Sequence, residues 1–337
     1  MRRKRVICIC IAFILLALTF PWLYATADSG SSVYQDGDFS YILTDAGAEL
    51  TEWKGWEKGK EQLELVLPSS LNNQPLVGIG RRSMGVDYCG NNYWINEFNI
   101  IVPEGVRYLS EAAFEGCDKA AKISLPSTLV EIGEDCFFHV YAEIEFPNGN
   151  SCFSVDNGFL VDLRSQTLLY AAPSSCDFPL PSVQRLGNCC LYNWLWVQQT
   201  VILPQTLVSI GTRVFYDLPD LEQVSIPEGV TTLSEYSFFS TNLKEIKIPS
   251  SVAQIPANCF LDSSLRSVTI PEGVTYIGEY AFYDNRGMPI ADDVILPESM
   301  QFVGYCAFPE GTNVIALSSE THFETLEEYN ARCAQSD

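Results

Sequence analysis

Apolar residues recur along this chain with a fixed spacing, and the most regular stretch runs from Leu221 to Tyr283. Each copy in this stretch has two apolar residues separated by one position, then a proline. A valine follows three positions after the proline, an apolar residue at the sixth position and a phenylalanine at the eleventh. Aligning the copies on Pro227, Pro249 and Pro271 gives steps of 22 residues. A fixed period of this length is typical of a solenoid, in which each repeat buries its apolar face against its neighbours.

The columns of this repeat predict its local structure. The alternating apolar residues before each proline indicate a short strand with one face on the core, which the proline ends because it has no N–H to donate. The apolar pair after the proline indicates a second short extended segment, and the phenylalanine column predicts stacked rings in the interior. We expect the glycines after the second segment to turn the chain with positive φ. These glycines are Gly133, Gly211, Gly278 and Gly304.

The same pattern extends over most of the chain and predicts about ten repeats, or rungs. Its anchor prolines are Pro68, Pro103, Pro126, Pro147, Pro181, Pro204, Pro227, Pro249, Pro271 and Pro297. Most steps are 21 to 26 residues, and the two long steps, 68–103 and 147–181, each contain an insertion. The second insertion, near 148–176, has Asn157-Gly158 between apolar runs, which is typical of a tight hairpin turn.

The two ends of the chain lack the repeat. We interpret residues 28–64 as an N-terminal cap, in which Trp53 and Trp56 cover the open end of the core; a role as ligand platforms is the alternative. Residues 65–317 form the repeat array. The tail, 318–337, has apolar spacing compatible with one short helix beginning at Thr321 or Thr325, and we interpret it as a C-terminal cap.

Residues 1–27 have the pattern of a signal peptide. Four basic residues at positions 2–5 precede an apolar run over 6–20, and Ala25-Thr26-Ala27 supplies a small-x-small cleavage site. The apolar run is shorter than the ~20 residues that a membrane-spanning helix needs. We therefore expect cleavage before Asp28 and export, with no membrane span in the mature chain; an uncleaved anchor is the alternative.

The composition narrows the class of partner. With 47% hydrophobic and 18% charged residues, the chain has enough apolar side chains to fill a continuous core. Its net charge of −22 becomes −26 when the four basic residues near the N-terminus are removed. Nucleic acid is bound through Lys and Arg, so this strongly acidic chain argues against a nucleic-acid partner.

Cysteines and histidines show no recognisable catalytic or metal-binding pattern. Cys136, Cys190 and Cys259 directly precede the core aromatic residue or its leucine equivalent, where other rungs carry a small residue, so we interpret them as packed thiols. His139 and His322 have no nucleophile and carboxylate at a typical spacing. We expect no cofactor, no metal and no enzymatic activity. The pairing of the other cysteines, and a Ser-His-Asp or Cys-His site assembled across rungs, are possibilities that the sequence leaves open.

The segment from Ile270 to Phe282 reads I-P-E-G-V-T-Y-I-G-E-Y-A-F, which contains the pattern I-P-x-x-V-x-x-I-G-x-x-A-F. This pattern resembles the BspA-like class of leucine-rich repeats found in bacterial surface proteins, and the resemblance covers about residues 38–317. It implies a leucine-rich repeat solenoid, a strand-rich α/β right-handed superhelix with terminal caps. The chain has Gly229, Ser251 and Gly273 where commoner leucine-rich repeats have asparagine, so we expect no asparagine ladder between its rungs.

The resemblance also implies an exported cell-surface or secreted protein that binds extracellular proteins or glycans on host or microbial surfaces. Stacked strands present their outward residues as one continuous face, the usual recognition surface of a solenoid. On this face we select Ser225, Lys247 and Thr269 as candidate binding residues. A structural spacer without its own ligand and a secreted enzyme are the alternative functions.

Aromatic residues in the loops between rungs give a second set of candidates. We select Trp94, Trp194 and Trp196, because exposed tryptophan is enriched at the energetic centres of interfaces. Packing of these side chains under their own loops is equally compatible with the sequence.

Overall fold

A computed structural model describes residues 32–55, 64–84, 97–177, 179–192, 199–284 and 286–335. The predicted signal peptide, residues 1–27, lies outside these ranges. The strands are β1 (Val33–Asp36), β2 (Phe39–Thr44), β3 (Gly47–Trp53), β4 (Glu64–Val66), β5 (Ser70–Leu71), β6 (Gln74–Ile79), β7 (Phe98–Ile101), β8 (Tyr108–Leu109), β9 (Ala120–Ser124), β10 (Glu131–Ile132), β11 (Glu143–Glu145), β12 (Phe153–Asp156), β13 (Phe159–Asp162) and β14 (Thr167–Ala171). They continue with β15 (Arg185–Leu186), β16 (Thr200–Ile202), β17 (Ser209–Ile210), β18 (Gln223–Ser225), β19 (Thr232–Leu233), β20 (Glu245–Lys247), β21 (Gln254–Ile255), β22 (Ser267–Thr269), β23 (Tyr276–Ile277), β24 (Val294–Leu296), β25 (Phe302–Val303), β26 (Val314–Ala316) and β27 (His322–Phe323). A 3₁₀ helix spans Pro173–Asp177 and the helix α1 spans Leu326–Cys333.

Successive rungs contribute strands to two parallel rows. The first strand row contains the strands that precede the anchor prolines and their C-terminal equivalent: β4, β7, β9, β11, β16, β18, β20, β22, β24 and β26. The second strand row contains the strands that follow: β6, β8, β10, β15, β17, β19, β21, β23, β25 and β27. Pairing is parallel, as between Ile246 and Val268 in the first row and between Ile255 and Ile277 in the second. The protein is therefore a solenoid, and both extended segments predicted from the repeat are confirmed.

The phenylalanine column forms a stack of buried rings. Phe238 lies between Phe215 and Phe260, with ring centroids 5.0 Å apart on both sides and nearly parallel planes. The stack continues to Phe282 at 5.2 Å and then to Phe308 at 5.3 Å. These rings fill the interior on the side away from the strands, as the sequence predicts.

The glycine column has a different role from the one expected. Gly278 does not have positive φ, and neither do its equivalents; the positive φ falls two residues later, at Tyr280 with φ of 53°. Glycine is needed at 278 because a Cβ there would lie 2.3 Å from the backbone nitrogen of Ala257 in the preceding rung. At Gly304 the corresponding contact, to the nitrogen of Glu279, is 2.4 Å. The prediction of positive φ at these glycines is wrong, and close approach of neighbouring backbones is the reason for their small size.

Hydroxyl side chains connect rungs where other leucine-rich repeats use asparagine. Two residues after the anchor proline, Thr128 Oγ1 donates to the carbonyl of Val106 in the preceding rung at 2.8 Å, and Ser299 Oγ donates to that of Val274 at 2.9 Å. Ser299 Oγ also accepts from the N–H of Gly273 at 3.0 Å. Serine and threonine therefore satisfy backbone groups of the turn in the rungs that carry them at this position.

One asparagine side chain also connects two rungs by hydrogen bonds. Asn150 Nδ2 donates to the carbonyl of Leu129 in the preceding rung at 2.9 Å. Its Oδ1 accepts from the N–H groups of Cys152 and Phe153 at 2.7 and 3.0 Å. This is a single contact where the insertion begins, and not a ladder of asparagines repeated along the rungs.

The insertion near 148–176 forms an antiparallel meander of β12, β13 and β14 that lies across the solenoid. Its first turn is Asn157-Gly158, both with positive φ, as predicted from the sequence. Side chains of β13 alternate between two interiors, because Phe159 and Val161 pack with the C-terminal rungs and Leu160 packs with the N-terminal rungs. The meander therefore divides the hydrophobic interior into two clusters and forms a wall of each.

Tyr170 of β14 closes the N-terminal cluster. Its ring centroid is 5.3 Å from that of Phe137, so it continues the aromatic column of the N-terminal rungs. Its buried hydroxyl lies 3.1 Å from the carbonyl oxygen of Val140 and 2.8 Å from that of Ala142. The tyrosine thus supplies a donor to two carbonyls at the point where the regular stacking stops.

The first strand row is interrupted at the same place, so the continuous face predicted from the sequence is wrong. β11 pairs with β9, and β16 pairs with β18, but between β11 and β16 the described residues contain no first-row strand. Pro179 occupies the middle of the expected strand position and Pro181 follows it. Prolines cannot donate to a ladder, which accounts for the break. The outward column is divided into an N-terminal part of four hydrogen-bonded strands and a C-terminal part of three hydrogen-bonded strand pairs, β16–β18, β20–β22 and β24–β26.

At the N-terminal end, β1, β2 and β3 form an antiparallel meander, and β3 pairs in parallel with β6 of the second row. Trp53 at the end of β3 is buried, with its ring centroid 6.1 Å from that of Phe98. Trp56 lies outside the described residues. Assignment of residues 28–64 as a cap remains a prediction.

At the C-terminal end, α1 begins after Thr325, whose side chain forms a capping box with Glu328. None of its residues is buried. The helix lies against the outside of the last rungs, where Tyr329 stacks on Tyr305 at 4.9 Å. No helix among the described residues is long and apolar enough to cross a membrane.

Candidate binding surface

The C-terminal part of the first strand row places Ser225, Lys247 and Thr269 on β18, β20 and β22, all exposed. Lys247 and Thr269 are register partners, and Ser225 has Ile202 of β16 as its partner on the other side. With neighbouring strands about 4.8 Å apart, the three polar residues span about 10 Å. The structure brings together the residues selected from the sequence, and their role in binding remains a prediction.

Lys247 carries the positive charge of this group. Its Nζ lies 3.5 Å from Glu228 Oε1, and Glu228 Oε2 accepts from the N–H and the hydroxyl of Ser250 at 2.9 and 3.0 Å. The hydrogen bonds from Ser250, with a smaller contribution from Lys247, lower the pKa of Glu228. Because both charged groups are exposed, the pair contributes little to stability, and Lys247 can exchange Glu228 for a partner at small cost.

Exposed isoleucines lie on both sides of this polar centre. Ile202 is 80% exposed, Ile295 of β24 is 51% exposed, and Ile315 of β26 is the register partner of Ile295. The sequence places Ile202 and Ile295 in the outward column, and their apolar character at an outward position makes them candidate contact residues. We call the following six residues the strand face: Ile202, Ser225, Lys247, Thr269, Ile295 and Ile315.

The N-terminal part of the first strand row is less available for a partner. Glu145 Oε1 accepts from Ser124 Oγ at 2.7 Å, and Glu145 Oε2 lies 3.2 Å from Lys122 Nζ. These contacts, chiefly the hydrogen bond from Ser124, lower the pKa of Glu145. The polar side chains on this part already bind one another, and Val66 on β4 is its strongly exposed apolar residue, at 56%.

The tryptophan candidates Trp94, Trp194 and Trp196 lie outside the described residues. Their selection as candidate binding residues therefore stays a prediction.

Residues with potential chemistry are placed in the core or in aromatic clusters. Cys136, Cys190 and Cys259 are buried, and burial raises the pKa of each thiol, that of Cys136 to about 12. A thiol held in its neutral form is a poor nucleophile and a poor ligand. His139 Nε2 lies 3.1 Å from the hydroxyl of Tyr192, and burial lowers the pKa of this histidine. The parts of the chain that the structure describes contain no group of three metal-ligating side chains.

Two strand rows, a repeated turn after the anchor prolines and a phenylalanine column define a leucine-rich repeat solenoid. The sequence matches the family described as BspA type leucine rich repeat region in six copies, over residues 90–159, 170–289 and 256–335. Because these matches cover more than half of the chain, the protein belongs to this family.

The chain is also similar to solved structures of bacterial proteins. A leucine-rich repeat protein from Eubacterium ventriosum is 15% identical, with 88% of this chain and 97% of that chain covered and a TM-score of 0.47. A leucine rich cell surface protein from Faecalibacterium prausnitzii is 19% identical, with 88% and 79% covered and a TM-score of 0.43. The pneumococcal vaccine antigen PcpA is 12% identical, with 85% and 98% covered and a TM-score of 0.39. No curated protein matches the chain.

Proposed function

We propose that this protein is an exported binding protein, secreted or held at a bacterial cell surface, that recognises an extracellular protein through the strand face. The proposal is one of adhesion or capture without bond-breaking chemistry. It is supported chiefly by the exposure of Ile202 and Ile295 on either side of the polar residues Ser225, Lys247 and Thr269. A flat sheet with apolar residues flanking a lysine suits the apolar core and polar contacts of a protein interface.

The dimensions of the strand face fit such a partner. Ile202 and Ile295 are four rungs apart, which corresponds to about 19 Å at a strand separation of about 4.8 Å. A stable interface covers about 800 Å² on each partner.

Export is supported by the sequence of residues 1–27 and by the acidic composition of the remainder. The measurement is the N-terminal sequence of the exported protein. A mature N-terminus at Asp28 is the expected result, and an intact Met1 would show that the segment is an uncleaved anchor.

Binding is tested on an array of extracellular-matrix and cell-surface proteins at physiological salt. We expect saturable binding to at least one protein, and loss of that binding when Ser225, Lys247 and Thr269 are all replaced by glutamate. The matched control carries Gln205→Glu and Gln301→Glu, which add negative charge at exposed positions outside the strand face. This control is expected to bind as the wild type does.

The alternatives give different results in the same experiments. Binding that survives the triple substitution would place recognition on another face. Absence of saturable binding to any protein would favour a structural spacer. Turnover in a broad hydrolase substrate screen would favour a secreted enzyme.

A further inference from the structure

A groove of about 470 Å³ lies on the second strand row, on a different surface from the strand face. Its floor is formed by Thr232, Gln254 and Tyr276, the outward residues of the successive strands β19, β21 and β23. One wall contains Glu235 and Glu279, and Arg332 of α1 closes it from above. The volume falls within the range of small-molecule sites, about 300–1,000 Å³.

Tyr276 presents an aromatic ring face to this groove. One side of the ring stacks on Phe302 of the next rung, with centroids 5.2 Å apart and planes within 7° of parallel. Its register partner on the other side is Gln254, whose flexible side chain is exposed. The tyrosine is 37% exposed. A rigid ring that lines a groove and is supported on one face can serve as a stacking platform once the flexible Gln254 side chain moves aside, and it loses little conformational entropy on binding.

The groove exists because of one small residue. Glu235 and Glu279 lie two positions after β19 and β23, and the residue at the same position of the rung between them is Ala257. Two rungs in the N-terminal half also have glutamate at this position, at Glu111 and Glu134. The rung at Ala257 therefore lacks a long side chain that its neighbours have, and the missing side chain leaves the depression.

Arg332 is held in place by two carboxylates. Its guanidinium pairs with Glu279 and also with Glu324, whose Oε1 lies 2.9 Å from Arg332 Nε. Glu324 is almost fully buried, so the arginine is fixed over the groove. The carboxylate of Glu235 is exposed and has no partner among the described residues. Donors from the guanidinium, the amide and the threonine hydroxyl therefore surround the platform together with carboxylate acceptors.

We propose that this groove binds a neutral sugar ring of a glycan, stacked on the open face of Tyr276. The C–H groups on one face of a pyranose carry partial positive charge and match the negative face of the aromatic ring. Sugar hydroxyls both donate and accept, so they use the amide of Gln254, the hydroxyl of Thr232 and the carboxylate of Glu235. The site is separate from the strand face and does not depend on the protein partner proposed there.

A basic peptide is the competing occupant. An arginine or lysine side chain stacks on tyrosine and pairs with carboxylates. Arg332 is already paired with Glu279 and Glu324, so charge alone does not exclude a cation. A basic side chain, however, offers no acceptor to the amide of Gln254 or to the hydroxyl of Thr232. A neutral ligand with hydroxyl groups satisfies the donors as well as the acceptors of this groove, which is why we favour the sugar.

The test is titration of the full exported chain with an array of neutral oligosaccharides, and separately with hexa-arginine peptide. We expect at least one neutral oligosaccharide to bind and hexa-arginine not to bind at this site. Tyr276→Ala is expected to weaken the sugar about tenfold or more, equivalent to about 1.4 kcal/mol, because the platform is lost. Tyr276→Phe keeps the ring and is expected to bind within about threefold of the wild type.

Ala257→Glu fills the groove without disturbing the platform. Glutamate is compatible with this position because Glu279 occupies the equivalent position beside Gly304, just as Ala257 lies beside Gly278. We expect sugar binding to be lost in this variant while its thermal midpoint stays close to that of the wild type. The matched control is the Ser225, Lys247 and Thr269 triple glutamate variant, which should bind the sugar normally.

Three results would overturn the proposal. One is the absence of binding to every neutral oligosaccharide. Another is sugar binding that is unchanged in both Tyr276→Ala and Ala257→Glu. The third is hexa-arginine binding that becomes tighter in Ala257→Glu, because the added carboxylate strengthens a cation site and obstructs a sugar site. Failure of the strand-face experiment leaves these results unaffected, so the two proposals are tested separately.

Discussion

Gly278 approaches Ala257 of the preceding rung so closely that a Cβ on residue 278 would lie 2.3 Å from the Ala257 backbone nitrogen. The same contact recurs at Gly133 and Gly304, each against the backbone of the rung before it. The separation of successive rungs at this corner is therefore set by backbone packed directly against backbone. Any side chain at these positions has to force two rungs apart.

Gly278→Ala is expected to destabilise the protein by about 2–3 kcal/mol, because overpacking against backbone is not relieved by a rotamer change. The measurement is the free energy of unfolding in urea. Asn258→Gly is the matched control, since Asn258 is the residue with positive φ in the neighbouring rung, at 58°, where glycine is permitted. Asn258→Gly is expected to change the free energy of unfolding little, and a loss below about 0.5 kcal/mol for Gly278→Ala would contradict the role of close approach at this corner.

Phe238→Ala should cost about 3–5 kcal/mol, because it leaves a cavity in a stack where both neighbouring rings are in contact with the removed ring. Phe238→Leu keeps most of the volume and should cost less than half as much. Both changes are measured by chemical denaturation with aromatic circular dichroism as the probe. A loss below about 1 kcal/mol for the alanine variant would contradict the role of the stack as the centre of the C-terminal core.

Tyr170→Phe removes the hydroxyl that contacts the carbonyls of Val140 and Ala142. We expect a loss of about 1–3 kcal/mol, because two carbonyl groups near the end of the N-terminal core lose their donor. The exposed Tyr34 gives the matched control, and Tyr34→Phe should change the free energy of unfolding by less than about 0.5 kcal/mol. Equal effects of the two substitutions would indicate that water replaces the Tyr170 hydroxyl.

Because His139 is partly buried, we expect the stability of the folded protein to depend on pH. Burial lowers its pKa below the usual 6.5, although the charge of Asp118 partly opposes the shift. The unfolded chain therefore takes up the proton first as the pH falls, and the folded state loses stability from near pH 6.5 downward, until the folded histidine also protonates. The expected observation is a fall in the thermal midpoint across this range that is smaller in His139→Asn.

Asparagine is chosen because residue 139 has φ of 55°, which asparagine tolerates. The other histidine, His322, supplies the control, and His322→Asn should retain the pH dependence of the wild type. If both variants keep the full dependence, other groups are responsible for it.

Most of the repeat geometry could be predicted because it is local and is repeated along the chain. The proline, valine and phenylalanine columns each report a burial environment that recurs in every rung, so one rung supports the interpretation of the next. The prediction of positive φ in the glycine column is wrong because glycine at a sequence position indicates either of two conditions. Such a residue either has positive φ or is packed closely against a neighbouring backbone. Both conditions select glycine, and the structure separates them at Gly278 and Tyr280.

The candidate sites were less accessible to sequence analysis. Ser225, Lys247 and Thr269 could be placed on one face because the strand period fixes their orientation. Ile202 and Ile295 were visible in the same column, but how far they are exposed depends on the neighbouring turns. The interruption of the first strand row at Pro179 and Pro181 could be predicted only from the N–H donors that these prolines lack. Its consequence is a core divided by the meander at 153–171, which depends on the tertiary structure.

The sequence by itself determined the solenoid, the number of rungs, the inward columns and the outward polar group, because these follow from a period of 22 residues and from the burial of one face of each strand. Only the tertiary structure decided where the surface forms a groove. Tyr276, Ala257 and Arg332 meet because α1 folds back over the second strand row and its arginine pairs with Glu279, 53 residues earlier in the chain. Contacts between side chains so far apart in sequence depend on how the tail packs, and the repeat pattern carries no information about that packing.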